Sequence, residues 1–244
     1  MSAERTDAQT RHPRHPRHQR HQRRGEARLP AAIATLVAMA LYLALPEQLL
    51  IGPRFVVPAV ELVLLVPLIA INPRRVTRQT RLSRVLSLAL VVVVALTNLG
   101  ALALLIHDLL AGAASNGQAL LLGALQVWLT NVIAFGLAYW ELDRGGPVKR
   151  TQASRNDLPL ADFRFSQDEN ADTVEEVADG SSVKSDWVPA LMDYLYVSVT
   201  NSTAFSPTDT MPLSARAKAL MAVQSVAALL TSLLVIARAV GVLK

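Results

Sequence analysis

Five stretches of this chain are apolar and nearly free of charge: Leu29 to Leu45, Phe55 to Ile71, Val85 to Ile106, Ala119 to Trp140 and Ala219 to Ala237. At about 1.5 Å of rise per residue, each approaches the roughly 20 residues a helix needs to cross the hydrocarbon core of a bilayer. Only the second holds a side chain charged at neutral pH, Glu61. Inside lipid a segment must satisfy its own backbone amides and carbonyls, which favours helices for apolar runs of this length. The chain is 52% hydrophobic and 18% charged, far from the balance of a soluble domain. The expected fold class is all-α, a polytopic membrane helical bundle of about six transmembrane helices, or five if Trp187 to Phe205 is re-entrant.

Orientation follows from the arginines. Residues 1–28 repeat Arg-His-Pro and Arg-His-Gln triplets and carry eight arginines against Glu4, Asp7 and Glu26. Such an arm cannot bury a core, and its plain role is to stay in the cytoplasm against anionic lipids through Arg11 to Arg24. Metal binding by its histidines is the sharper alternative, but a spacing of three in an extended chain closes no coordination shell. With an inside N-terminus, the loop Asn72 to Arg84 is cytoplasmic and holds Arg74, Arg75, Arg78, Arg81 and Arg84, while the loop Pro46 to Arg54 is outside and holds Arg54 alone.

Four regions result: the basic arm 1–28, a four-helix transmembrane region 29–140, an acidic loop 141–186 and a helix-turn-helix module 187–244. The loop has eleven acidic against six basic residues, without the ligand order of a calcium loop, and is expected to be a solvated, flexible linker. Trp187 to Phe205 is long enough to cross, yet contains Asp193 and a cluster of hydroxyl and amide residues. As a helix it has an apolar stripe (Leu191, Leu195, Val199) and a polar one (Asp193, Tyr196, Thr200, Thr203). A full crossing returns the C-terminus to the cytoplasm and gives six spans, the topology expected here; a dip and return gives five.

Polar residues inside a membrane are either functional or glue between helices. Glu61, flanked by Pro58 and Pro67, reads as a protonatable relay or as a hydrogen-bonded carboxyl facing another helix; Asp193 is the other intramembrane carboxylate. Asn98, Gln126, Thr130 and Asn131 read as interhelical hydrogen-bond partners. Gln224, Thr231 and Arg238 recur every seven residues as one stripe down the last helix, lining either water or a neighbouring helix. Asp209, in Ser206-Pro207-Thr208-Asp209, serves a turn or attracts an ion.

Cysteine is absent, which excludes disulfides, thiolate nucleophiles and cysteine-bound metal. No catalytic triad, metal-ligand cluster, phosphate-cradling glycine loop or dinucleotide fingerprint occurs, so no enzyme, metal or cofactor is expected. The arginine arm lacks a folded nucleic-acid reading module, so no nucleic-acid partner is expected either.

Tyr196, Ser198, Thr200, Thr203, Asp209 and Pro212, followed by the apolar helix to Leu243, make this part similar to the pore module of the potassium-channel superfamily. The resemblance spans 48 of 244 residues and implies a pore-like turn at Thr200, Thr203, Ser206, Thr208 and Asp209, with Gln224, Thr231 and Arg238 lining the helix. It stops at the filter: Ala204-Phe205-Ser206-Pro207-Thr208 stands there, and no glycine lies between Gly180 and Gly241. Glycines let a filter turn its carbonyls toward the ion. Asp193-Tyr194-Leu195-Tyr196, Thr200 to Thr210, the last helix and Tyr139 to Gly146 together resemble a family of bacterial integral membrane proteins of unknown function. That resemblance implies a bacterial inner membrane. The function expected is non-selective ion permeation by a homo-oligomer, with a non-conducting scaffold as the alternative and a carrier using Glu61 or Asp193 as the third.

Overall fold

The computed structural model describes residues 25–110, 117–154, 157–169, 174–203 and 210–242. Each apolar stretch forms a helix: α1 (Arg28–Leu43), α2 (Val56–Ile71), α3 (Arg81–Leu110), α4 (Gly117–Leu142) and, last in the chain, α8 (Ala215–Val242). Between α4 and α8 come α5 (Pro147–Gln152), α6 (Glu175–Ala178) and α7 (Leu191–Ser202). Four strands of two or three residues, β1 (Glu26–Ala27), β2 (Arg75–Val76), β3 (Phe163–Phe165) and β4 (Thr210–Pro212), pair antiparallel as β1 with β2 and β3 with β4. The chain is thus all-helical apart from two small ladders.

Among the described residues α3, α4 and α8 are long and apolar enough to cross a membrane, while α1 and α2 are shorter apolar helices of 16 residues. Their outer faces carry exposed Ile33, Val37, Val63, Val92, Val226 and Leu233. Apolar surface on this scale, unpartnered in the protomer, suits lipid rather than water. The central helix is α4, which packs on α1, α3, α7 and α8.

The ladders and end contacts fix the direction of every helix. Pairing of β1 with β2 sets the start of α1 beside the chain that leaves α2. Arg84 at the start of α3 donates to the Glu141 carbonyl at the end of α4, at 2.7 Å. Arg216 at the start of α8 donates to the Leu142 carbonyl. These contacts define a near end that holds all five arginines of the loop 72–84. At the far end Leu49, after α1, meets α4 at Gly123, and Leu234 of α8 lines a small cavity with Leu105 and Leu120.

The helix α7 is the segment on which the count of five or six spans turns. It has 12 residues, so it reaches only about 18 Å. Leu191 at its start donates to Glu26, and β4 after it pairs with β3; both contacts lie at the near end. Leu191 and β4 thus lie at the same end of the bundle, with α7 running inward from it.

The loop 141–186, expected to be a solvated linker, packs instead. Phe163 and Phe165 are buried with Tyr139, Trp140 and Tyr194 in one core cluster, with ring centroids 5.0 Å apart for Tyr139–Phe163 and 5.4 Å for Phe165–Tyr194. The physical reason is the period of two in Phe163-Arg164-Phe165, which sends both rings to one face of β3. At the turn out of α4, Arg144, Gly145 and Gly146 have φ of 51°, 78° and 96°. Gly146 also has no room for a side chain, since a Cβ there would meet Arg84 Nη1 at 2.4 Å.

Close approach of α4 and α7 depends on Gly136, where a Cβ would lie 2.7 Å from Leu195 Cδ2 and 3.3 Å from Leu195 Cα. Gly136→Leu is expected to wedge α7 off α4 and to cost about 1–3 kcal/mol, read as a lowered melting temperature of the purified protein in detergent.

Candidate functional site

Three elements place α7. A 12-residue helix is too short to persist by propensity alone, so its position depends on what it touches. At its start, Glu26 Oε1 accepts from the Leu191 amide at 2.6 Å and Asp193 Oδ2 accepts from the Ala190 amide at 2.7 Å. Two carboxylates at a helix N-terminus satisfy otherwise orphaned amides and complement the helix dipole. Asp193 therefore sits at the near end as a terminal acceptor rather than deep within the bundle.

Behind these carboxylates lies Arg150 of α5, 0% exposed. It donates through Nε to the Pro189 carbonyl at 3.2 Å and through Nη1 to the carbonyls of Trp140 at 2.8 Å and Asp143 at 2.9 Å. Its guanidinium stands 4.9 Å from the Tyr194 ring centroid and 3.7 Å from Glu26 Oε2. Asp143 Oδ2 accepts from Tyr194 Oη at 2.6 Å, and its Oδ1 accepts from the Asp162 amide at 2.7 Å. Asp162 in turn pairs with Arg216 and accepts from Ser214 at the start of α8. The folded loop thus ties the end of α4 to the starts of α7 and α8.

Higher in the bundle the anchor is Gln224 of α8, 0% exposed. Its Oε1 accepts from Tyr139 Oη of α4 and from Asn201 Nδ2 of α7, the latter at 2.8 Å. Its Nε2 donates to the Ser198 carbonyl at 3.0 Å, to Ser198 Oγ and to Ser202 Oγ at 2.9 Å. Asn201 also donates to the Met221 carbonyl at 3.0 Å and accepts from Ser225 Oγ at 2.9 Å. Ser198 Oγ donates to the Val132 carbonyl of α4 at 2.7 Å. On the other side Asn131 Nδ2 donates to the Gln224 carbonyl at 3.4 Å, and its Oδ1 accepts from Asn98 Nδ2 of α3 at 3.3 Å. One polar chain therefore crosses α3, α4, α8 and α7.

The sequence-predicted residues fall into three groups. Gln224 and Thr231 face inward, Thr231 donating to the Ala227 carbonyl at 2.8 Å. Thr200 and Thr203 bond carbonyls of their own helix, Tyr196 at 3.0 Å and Val199 at 3.1 Å, and share the outer side of α7 with Tyr196, 52% exposed. Glu61 is buried in α2, away from α7. Ser206, Thr208 and Asp209, and the side chain of Arg238, lie outside the described residues. Asn98 and Asn131 are the interhelical partners anticipated for them. Sequence reasoning gave no role to Arg150, Asp143 or Tyr194; the last two stood only within the motifs Tyr139 to Gly146 and Asp193 to Tyr196.

Among the described residues no three His, Asp, Glu or Cys side chains cluster as a metal site. Cavities between the helices offer about 10 Å³ to 20 Å³ to water, one or two molecules at most. Comparison with models of known families, with curated proteins and with solved structures finds no match.

Two predictions follow from this geometry. Gln224→Leu leaves Tyr139, Asn201, Ser198 and Ser202 short of partners; interhelical hydrogen bonds average about 0.6 kcal/mol, so the loss should reach on the order of 2 kcal/mol, measured by unfolding in mixed micelles. Burial holds the Glu26 carboxyl above its ordinary 4.5, against the opposing pull of Trp140, Arg150 and the Leu191 amide. A folded-state value above the unfolded one gives stability that is present at acid pH and lost as pH rises. Wild type should therefore lose melting temperature relative to Glu26→Gln as the pH rises above the ordinary 4.5.

Proposed function

We propose that the protein is an integral membrane protein with five crossing helices, α1 to α4 and α8, and one re-entrant helix, α7. Its N-terminus lies in the cytoplasm of a bacterium and its bundle in the inner membrane. The positive-inside rule supports this orientation, since Glu26 and Ala27, which follow the basic repeats in sequence, pair with β2 at the end that holds the five arginines of the loop 72–84, while Arg54 is at the far one. With five crossings the C-terminus emerges on the side opposite the N-terminus. The arm meets anionic lipid through Arg11 to Arg24.

The activity we assign is ion permeation by a homo-oligomer, built around α4, α7 and α8. What carries the reading is connectivity: a long apolar helix, a half-length helix entered and left at one end, and a second long apolar helix. This is the layout of a pore module, here entered from the arginine-rich end. Cavities inside the protomer are water-sized, so in this reading the path runs between protomers, along the side of α7 that bears Tyr196, Thr200 and Thr203. Without filter glycines, discrimination between potassium and sodium is not expected.

A second reading, a non-conducting scaffold, has one observation in its favour: Gln224 and Thr231, the polar stripe of α8, are consumed inside the protomer. Flux of potassium and sodium from liposomes containing the purified full chain separates the two. Permeation predicts comparable release of both ions, and a disulfide-linked dimer from Tyr196→Cys in a chain that has no native cysteine. Absence of flux for every monovalent ion, with a monomer in detergent, would leave the scaffold.

A further inference from the structure

Away from α7, Glu61 projects from the middle of α2 into the junction of α1, α2, α3 and α4, and is 2% exposed. It lines a cavity with Tyr42 of α1, Thr97 and Asn98 of α3, and Thr130 of α4. The space offers about 10 Å³ to a water centre, the size of one molecule with polar partners around it. Glu61 Oε2 has no hydrogen-bond partner among the described residues.

The groups facing this carboxyl decide its state. Two helices pack on α2, α1 and α3. From α1 comes Tyr42, whose hydroxyl accepts from the Ile51 amide at 3.2 Å. From α3 come Thr97, which donates to its own helix at Val93, and Asn98, which donates to Asn131. Across the cavity α4 contributes Thr130 and Val127. Lys, Arg and His are absent from this lining; Arg54, the cation near Tyr42, is turned to the carbonyls of Leu43 and Leu45. An ionised carboxylate here is a lone charge in an apolar interior, whereas the acid is neutral and has one O–H to donate.

We infer that Glu61 is a proton-binding site. The resting carboxyl is protonated and donates from Oε2 to a water in the cavity, and that water has the Thr97 and Thr130 oxygens within the same cavity to bond. Ionisation passes the proton from Oε2 to this water and on to solvent, leaving the electron pair on the carboxylate. The exit is past Tyr42 toward Ile51, which is half exposed in the far-end loop. Asn98 belongs both to this cavity and to the chain through Asn131 to Gln224, so a charge appearing on Glu61 adjoins the polar path that holds α7. The site does not depend on the permeation reading.

Infrared difference spectroscopy of the full chain in lipid bilayers tests this, comparing wild type with Glu61→Gln and Glu61→Asp. A protonated-carboxyl carbonyl band is expected in wild type, absent in Glu61→Gln and retained with a shift in Glu61→Asp. It should shift in D2O and fade as the pH is raised. Lack of that band in the wild type minus Glu61→Gln difference at every pH overturns the proposal. So does a band that ignores both alkaline pH and D2O, which marks a sealed structural acid.

Discussion

Lipid offers no hydrogen bonds, and a helix that stops partway through a bundle leaves carbonyls and side chains that must find partners inside the protein. The helix α7 meets much of that constraint through one residue of its neighbour. Gln224 has an amide oxygen and an amide nitrogen to offer, and the first takes Tyr139 and Asn201 while the second reaches Ser198 and Ser202. The consequence is register: α7 cannot slide along α8 by a turn without abandoning these bonds together. Small residues help, since Gly136 lets α4 press against Leu195.

The near end solves a different problem. Burying Arg150, Asp143 and part of Glu26 costs desolvation that paired geometry offsets only in part, so their value lies in placement more than in stability. Arg150 collects the last carbonyls of α4, where the helix dipole already favours a cation. The same guanidinium lies over Tyr194 and beside Glu26, and both of these fix the first turn of α7. Because Asp143 also holds Asp162, and Asp162 holds Arg216, the entry points of α7 and α8 are set by one continuous polar layer.

Much of this was legible in the sequence. All five apolar runs form helices close to their expected bounds, because hydrophobicity over such a length admits little else. Interhelical roles for Asn98 and Asn131 were equally accessible, since amides in apolar helices need partners. Two things were not. The span of α7 hinged on where a two-faced segment stops, and Trp187-Val188-Pro189 with Ala190 reads as apolar length although the helix begins only at Leu191. The loop 141–186 looked solvated because its charge was weighed as a sum; two phenylalanines at alternate positions outweighed eleven acids by reaching the rings of Tyr139 and Tyr194. Arg150 carried no local signal, since its partners are backbone carbonyls that no motif encodes.

A polar stripe turned inward does not argue against a path along the outer side of α7. An element that presents backbone and hydroxyls to a conduction route has to be held from behind, or its geometry yields to whatever passes. Gln224 and Ser198 occupy that rear side, and Tyr196, half exposed, is on the other. The outer side of α7 mixes residues suited to lipid with a polar one. Met192 and Val199 suit a bilayer, whereas the hydroxyl of the exposed Tyr196 is a group that acyl chains cannot hydrogen-bond. In the proposed homo-oligomer, another protomer, or the water between protomers, is what meets that hydroxyl.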